Sequence, residues 1–189
     1  METPDPDDAK AMARIQAGDD CALNELMTRW QQPLAAFLFR YTGQETTAID
    51  LAQETFVRAY ENRQRYRGGQ FSSWLFAIAV NLAKNHVRWQ SRHPAVSLDA
   101  LVEEPAGRNL RSNTASPSDE AASAELAAAV RDAVQALPHD LKTVTLLFEY
   151  QEQSHREIAD ALGCSAKAVE TRLYRARQIL REKLAAWVG

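Results

Sequence analysis

The sequence predicts an all-α fold of two small helical domains, and three observations carry the prediction. Glycine and proline are scarce, seven each in 189 residues, while alanine is abundant and β-branched residues are sparse. Apolar residues recur at the three-and-four spacing of a helix face through most of the chain. One stretch, residues 91–119, breaks that period and holds three of the seven prolines, Gly107 and several serines and asparagines. The domains are therefore placed at residues 1–92 and 121–189, with a flexible linker over 93–120. Within the linker, the short apolar piece Val96 to Val102 is a candidate for local docking.

The N-terminal domain reads as four helices. The first runs from about Asp8 to Ala17 and stops at Gly18. The second runs from about Asp20 to Tyr41, ends near Gly43 and is bent or interrupted at Pro33. The third spans about Thr46 to Tyr66, with Thr47 and Asp50 spaced as a capping box. The fourth spans about Phe71 to Gln90 after the Gly68–Gly69 turn. Its core stripe is Phe71, Leu75, Ile78 and Leu82.

The C-terminal domain also reads as four helices. Leu126, Val130, Val134 and Leu137 stripe the first, which Pro138 ends. Asp140 to Tyr150 is the second. Ser154 to Leu162 is short, capped by Ser154 with Glu157 reaching back, and closed by Gly163. Ser165 caps the long last helix, whose buried stripe is Val169, Leu173, Ala176, Leu180 and Leu184.

Composition excludes several classes. No apolar run approaches the roughly 20 residues of a membrane span. METPDPDDAK is acidic and is not a secretory leader, so a cytoplasmic protein is expected. Two cysteines without a CxxC, Cys21 and Cys164, make neither a disulfide scaffold nor a zinc site. His86, His93, His139 and His155 show no ligand spacing, and no GxSxG, P-loop, GxGxxG or HExxH is present. No enzyme, metal or cofactor is implied. The net charge of −3 hides two basic blocks: residues 21–90 carry net +3 and residues 165–183 net +4, between acidic stretches.

Three constellations carry candidate chemistry. SHREIADALGCSAKAVETRL has the two capped helices and tight turn of a helix-turn-helix, with Ile158, Ala159, Leu162 and Val169 at the packing positions. Lys167, Arg172, Arg175 and Arg177 are expected to project from its second helix, where arginine forks suit phosphates and guanine edges. A plain helical hairpin with a solvated basic face is the competing account, and Glu170 dilutes the basic face. In residues 65–90, a Gly-Gly loop flanked by Arg65, Tyr66 and Arg67 feeds a helix. Trp74, Asn81, Asn85 and Arg88 share its outer face, with Lys84 and Trp89 beside them: stacking groups, amides and cations for single-stranded nucleic acid. The competing account puts Trp74 and Trp89 in the core beneath the loop. In residues 48–60, Asp50, Gln53 or Glu54, Val57 and Glu61 form an acidic-polar stripe, with Ala52, Phe56 and Tyr60 turned to the core. From composition alone that stripe is a solvated face.

Together the three motifs resemble those of the extracytoplasmic-function sigma factors of bacterial RNA polymerase, over nearly the whole chain. The resemblance implies a region 2 and a region 4 joined by a flexible linker. DLAQETFVRAY is similar to the helix that docks on the β′ clamp helices, which makes Asp50, Gln53, Glu54 and Arg58 polymerase contacts. YRGGQFSSWLFAIAVNLAKNHVR is similar to the segment that melts and reads the minus-ten element. Arg67, Gly68, Gly69, Gln70, Phe71 and Ser72 become the loop that holds a flipped base. Trp74, Asn81, Lys84, Asn85 and Arg88 lie on the reading helix. Residues 137–180 resemble region 4, which implies a β-flap contact. There Ser165, Lys167, Glu170, Thr171, Arg172, Arg175 and Arg177 belong to the helix that enters the minus-thirty-five element. Lys167–Ala168 replaces the family's Gly-Thr, Glu170 its following basic residue, and Glu152-Gln153-Ser154-His155 its Gly-Leu-Ser-Tyr. The implied function is promoter-directed initiation by a chain that is monomeric when free and held by an anti-sigma factor. A sigma-like decoy and an ordinary helix-turn-helix regulator are the alternatives.

Overall fold

The structure is a computed structural model and describes residues 6–93 and 117–187, with side chains described over 7–93 and 123–187. It is all-α among those residues. Eight helices run α1 (Pro6–Gln16), α2 (Ala22–Thr42), α3 (Glu45–Glu61), α4 (Phe71–Arg92), α5 (Pro117–Gln135), α6 (His139–Glu149), α7 (His155–Leu162) and α8 (Ala166–Lys183). Short 3-10 turns cover Arg63–Arg65 and Ala185–Trp187. Most of the expected linker, including Val96 to Val102, lies outside the described residues. Its last four residues are already helical, as the first turn of α5.

The centre of the N-terminal lobe is α2, which packs against α1, α3 and α4. It does not break at Pro33. An internal proline costs a helix about 3 kcal/mol, and each large apolar side chain fully buried contributes roughly 1.5–3 kcal/mol. Leu34, Phe37 and Leu38, the residues that follow Pro33, are fully buried and offset the lost hydrogen bond. The helix ends at Gly43 in the left-handed conformation (φ 78°).

Two expectations about α3 and α4 need correction. Thr47 lies inside the first turn of α3, whose N-cap is Gln44, so no capping box with Asp50 forms; instead Thr47 Oγ1 donates to Gln44 Oε1 at 3.0 Å. The helix also stops at Glu61 rather than Tyr66, because the Asn62 side chain donates to the Arg58 carbonyl (2.8 Å) and closes its last turn. In α4 the buried line runs through Phe71, Leu75, Phe76, Ala79, Val80 and Ala83, while Ile78 and Leu82 are only half-buried. The alanines let α4 approach its neighbours closely, which rotates the core face away from the larger residues.

The C-terminal lobe follows its capping signals. Ser154 and Glu157 form a complete capping box on α7, Gly163 closes it at φ 62°, and the Ser165 side chain accepts from the Ala168 amide at 3.2 Å. Val169, Leu173 and Ala176 are buried on α8; Leu180 and Leu184 are half-buried, and Leu126 on α5 is exposed. Helix α6 is the most enclosed element: Leu141 through Leu147 are all buried, Lys142, Thr143 and Thr145 included.

That enclosure arises because the lobes pack on each other. One apolar cluster joins Phe37, Phe76 and Val80 of the first lobe to Val144, Leu147 and Ile158 of the second. Across the seam, Gln135 Nε2 donates to the Arg40 carbonyl at 2.7 Å and Lys142 Nζ to the Tyr41 carbonyl at 3.4 Å; within the second lobe, Lys142 Nζ also donates to Gln135 Oε1 at 3.0 Å. The Arg40 guanidinium lies over the Tyr150 ring at 4.5 Å, and the Tyr41 ring stacks with His139 at 6.2 Å. A cation at the carbonyl end of α2 is favourably placed against the helix dipole. Its burial still pushes the Lys142 ammonium below the ordinary lysine value.

Candidate nucleic-acid interface

The acidic stripe of α3 is a solvent-facing ridge. Ala52, Thr55, Phe56 and Ala59 are buried on its inner side. Asp50, Gln53, Val57 and Arg58 are exposed, Glu54 half so. Arg58 is held by Glu54 (Nε to Oε1, 2.7 Å) and by Glu61 at 3.5 Å. Two large apolar side chains also stand in solvent here, Ile49 at 45% and Val57 at 51% exposure. Polar groups flanking exposed apolar ones make a surface suited to another protein.

The loop between α3 and α4 is pinned at its flanks and open at its tip. Tyr66 is buried, packs edge-on against Phe71 (6.2 Å between ring centres) and tilted against Trp74 (5.4 Å), and donates its hydroxyl to the Gly69 carbonyl at 2.6 Å. Gly68 and Gly69 sit at φ 91° and 90°, which favours glycine, and a Cβ on either would meet nothing within 4 Å. Arg67, Gly68 and Gly69 are exposed, Gln70 and Ser72 half-buried, and Phe71 buried. Burial holds the Tyr66 phenol above the ordinary tyrosine value.

On α4 the predicted face divides. Asn81, Asn85 and Arg88 are exposed together, at the i, i+4 and i+7 positions of one face. Trp74 departs from the expectation that it joins them: its ring is half-buried in the Tyr66–Phe71 cluster, where it supports the loop. Trp89 is 58% exposed and stacks on His93, so it does not fill the core. Lys84 is also half-buried, turned toward the second lobe. Burial and the nearby Arg172 charge lower its pKa.

The helix-turn-helix is formed by α7 and α8, and its outer face differs from the expected one. Lys167, Glu170, Thr171 and Arg175 are exposed with Tyr174, at spacings that share one face, and Ser165 stands exposed at its N-cap. Lys167 and Glu170 pair at 2.9 Å, a contact that draws the Glu170 carboxyl below its ordinary value. Arg172 does not project outward: it is half-buried, its Nη1 lies 3.5 Å from Cys164 Sγ and its Nε 3.9 Å from Asp140. Arg177 is exposed but tied to Glu149 at 3.2 Å and lies over the Phe148 ring at 5.4 Å. Of Arg172, Arg175 and Arg177, only Arg175 stands exposed with no ion pair among the described residues. Tyr174, 65% exposed, escaped the sequence reading because a tyrosine among arginines matched no periodic apolar stripe.

The Sigma-70 region 2 family matches residues 26–93, and the Sigma-70, region 4 family matches residues 127–180. An extracytoplasmic-function RNA polymerase sigma-E factor of Haemophilus influenzae is 36% identical over 182 residues, covering 94% of this chain and 95% of that protein. The chain belongs to the extracytoplasmic-function sigma factors. The RNA polymerase sigma-H factor of Pseudomonas aeruginosa is 32% identical over 181 residues, 94% of this chain and 93% of the relative. Among solved structures, CnrH in complex with the cytosolic domain of CnrY superposes with a TM-score of 0.71 at 27% identity, covering 96% of this chain and 99% of CnrH. The fold is shared as well by the sigma factor RpoE of Bartonella quintana, solved with the anti-sigma factor NepR (TM-score 0.65, 22% identity, 86% and 96% coverage).

In this sigma factor, region 2 spans the part of α2 from Leu26 through α4, and region 4 spans the part of α5 from Ala127 to α8 up to Leu180. Helix α1 precedes the region 2 match. Among the described residues, no group of three or more His, Cys, Asp or Glu side chains could hold a metal ion, and no helix is long and apolar enough to cross a membrane.

Proposed function

We propose that this sigma factor binds core RNA polymerase, carries it to a dedicated set of promoters and holds the minus-ten strand open. The α3 ridge around Asp50, Gln53, Glu54 and Arg58 docks on the β′ clamp helices. The Arg67–Ser72 loop takes one flipped base of the non-template strand, with Asn81, Asn85 and Arg88 tracking the bases and phosphates beside it. Flipping costs a few kcal/mol, which pocket contacts and stacking offset. Helix α8 enters the major groove at the minus-thirty-five element through Lys167, Glu170, Thr171, Tyr174 and Arg175, and region 4 also meets the β flap. No reaction is catalysed and no cofactor is consumed; the protein works in the cytoplasm, where polymerase is.

The observation that carries this reading is the coexistence of three differently built exposed faces in one family frame. They are an acidic-apolar ridge, a glycine-tipped loop beside exposed amides, and a capped helix-turn-helix. The lobe seam adds a condition. The two promoter elements lie 25 base pairs apart by their names, about 85 Å at the 3.4 Å spacing of successive phosphates. With α4 packed on α7, the lobes lie against each other rather than at that separation. The seam must open on polymerase. The closed arrangement puts both lobes within reach of one binder, and an anti-sigma factor is the partner this reading assigns to it; the similar protein CnrH was solved in complex with the cytosolic domain of CnrY.

The test is run-off transcription from a library of genomic promoters with purified core enzyme. Transcripts that start downstream of one shared bipartite motif, only when this protein is added, are expected. Core binding without any promoter-specific transcript would make it a decoy.

A further inference from the structure

The base-holding loop is restrained from a helix that lies outside the region 2 match. Gln16, at the C-terminal end of α1, donates its carboxamide Nε2 to two backbone carbonyls at once: Arg63 at 2.7 Å and Tyr66 at 2.9 Å. Gln64 Nε2 returns a bond to the Gln16 carbonyl at 3.0 Å. Three hydrogen bonds thus join the end of α1 to the four residues that immediately precede Arg67. At its other end α1 reaches the exit of the same loop. Asp8 accepts from Trp30 Nε1 at 3.0 Å and pairs with Arg29. The Trp30 ring lies 6.3 Å from Phe71, the first residue of α4. Ala11, Met12 and Ile15 are buried in the core between these ends, so the brace itself is fixed.

Gly68 and Gly69 have open space where a side chain would be, and the hydroxyl of Tyr66 on the Gly69 carbonyl is a contact of the same flank that Gln16 holds. Ordering a glycine-rich loop is costly, and a base pocket built on it is only as defined as its flanks.

We infer that α1, through the Gln16 carboxamide, is the positioning element of the single-strand site and sets both its affinity and its base selectivity. The inference rests on the reading of Arg67–Ser72 as the base-holding loop. Gln16 touches no DNA; it acts through the backbone of Arg63 and Tyr66. Losing two hydrogen bonds of ordinary net worth corresponds to a weakening of up to about thirtyfold at the step that uses the loop.

The experiment uses the full chain bound to core polymerase. Random single-stranded DNA octamers are selected on the wild-type complex. The winning octamer and its single-base variants are then titrated against wild type, Gln16→Met and Gln16→Lys. Methionine keeps the bulk and removes the donor; lysine restores a donor. Gln16→Met is expected to lose up to about thirtyfold in affinity. Its discrimination between the preferred base and the others should fall, with core binding unchanged, while the thermal midpoint drops by the few degrees that two lost part-buried hydrogen bonds cost. Gln16→Lys should recover most of the selectivity. A merely structural residue would lower the midpoint and leave the base preference unchanged. Equal affinity and preference in Gln16→Met and wild type would overturn the inference, as would a lysine variant no better than methionine. No selected sequence with wild type, despite core binding, would overturn the loop reading itself. Should Gln16→Met fail to fold, Gln64→Ala removes the reciprocal bond from an exposed side chain. A loss of selectivity there sustains the brace, and wild-type selectivity overturns it.

Discussion

Replacing Gln135 by alanine tests whether the two lobes separate as rigid bodies across a polar seam. Alanine is the best helix former, so α5 itself gains slightly. What is lost across the seam is the 2.7 Å bond to the Arg40 carbonyl. A neutral hydrogen bond is worth about 1 kcal/mol net, and an acceptor left buried without a partner costs about 1–3 kcal/mol. Lys142 also loses the 3.0 Å acceptor that orients its ammonium toward the Tyr41 carbonyl. Water can enter at the half-buried Gln135 position and recover part of this, so about 1–2 kcal/mol is expected, a shift of roughly five- to thirtyfold toward the open form. The assay is single-molecule energy transfer between dyes at exposed Cys21 and at an Arg181→Cys site, with Cys164 changed to serine. The variant should populate a low-transfer state several times more than wild type, with an unchanged helical signal. A distribution identical to wild type would refute the reasoning, since the seam would then be held by apolar contact alone.

Three further outcomes follow from the placement of side chains. Arg175→Ala should weaken minus-thirty-five duplex binding by roughly 1–3 kcal/mol without changing stability, whereas Arg172→Ala should act first on the melting temperature, because Arg172 is packed against Cys164 and Asp140; calorimetry beside duplex titration separates the two. Asn81→Ala should slow open-complex formation, read by permanganate footprinting, with upstream duplex binding intact; equal loss of both steps would indicate misfolding. Acidification should open the seam. Burial, then the charge of Lys142, hold His139 below its ordinary 6.5, with Lys84 acting the same way and Asp140 opposing. The closed form therefore binds a proton less readily than the open one. Closure is fully favoured above 6.5 and weakens as pH falls from there toward the depressed value, which the same energy-transfer pair measures between pH 7.5 and 5.5.

The helices were legible in the sequence wherever a local signal set them. Ser154 with Glu157, Gly163, Ser165 and Gly43 mark element ends by chemistry that acts within a few residues, and each sits where its spacing demands. Periodicity found the buried line of α8 but misjudged α4, where Ala79 and Ala83 rather than Ile78 and Leu82 face the core, because helix approach selects small residues. The solvent-facing ridge of α3 and the amide face of α4 were readable for the same reason. The lobe seam was not. Lys142 and Thr143 look like surface residues in any window, as does the half-buried Gln135, and the tertiary partner, the carbonyl end of α2, explains their enclosure. Arg172 was misplaced on the same account: its partner Asp140 lies 32 positions away in the chain, and an arginine at that helix position projects outward unless such a partner exists. Gln16 carried no sequence signal at all, since its bonds go to backbone carbonyls some fifty residues distant.

The most direct test of the central claim is affinity for bacterial core RNA polymerase, measured for wild type and for a Gln53→Ala/Glu54→Ala double variant. Both side chains lie on the outer side of α3, clear of its buried line, so the variant keeps the fold. Tight binding by wild type that the variant loses, with the same thermal midpoint for both, is the predicted result. Folded wild-type protein that does not bind core enzyme, or a variant that binds as tightly as wild type, would contradict the account of the α3 ridge as the polymerase-docking surface.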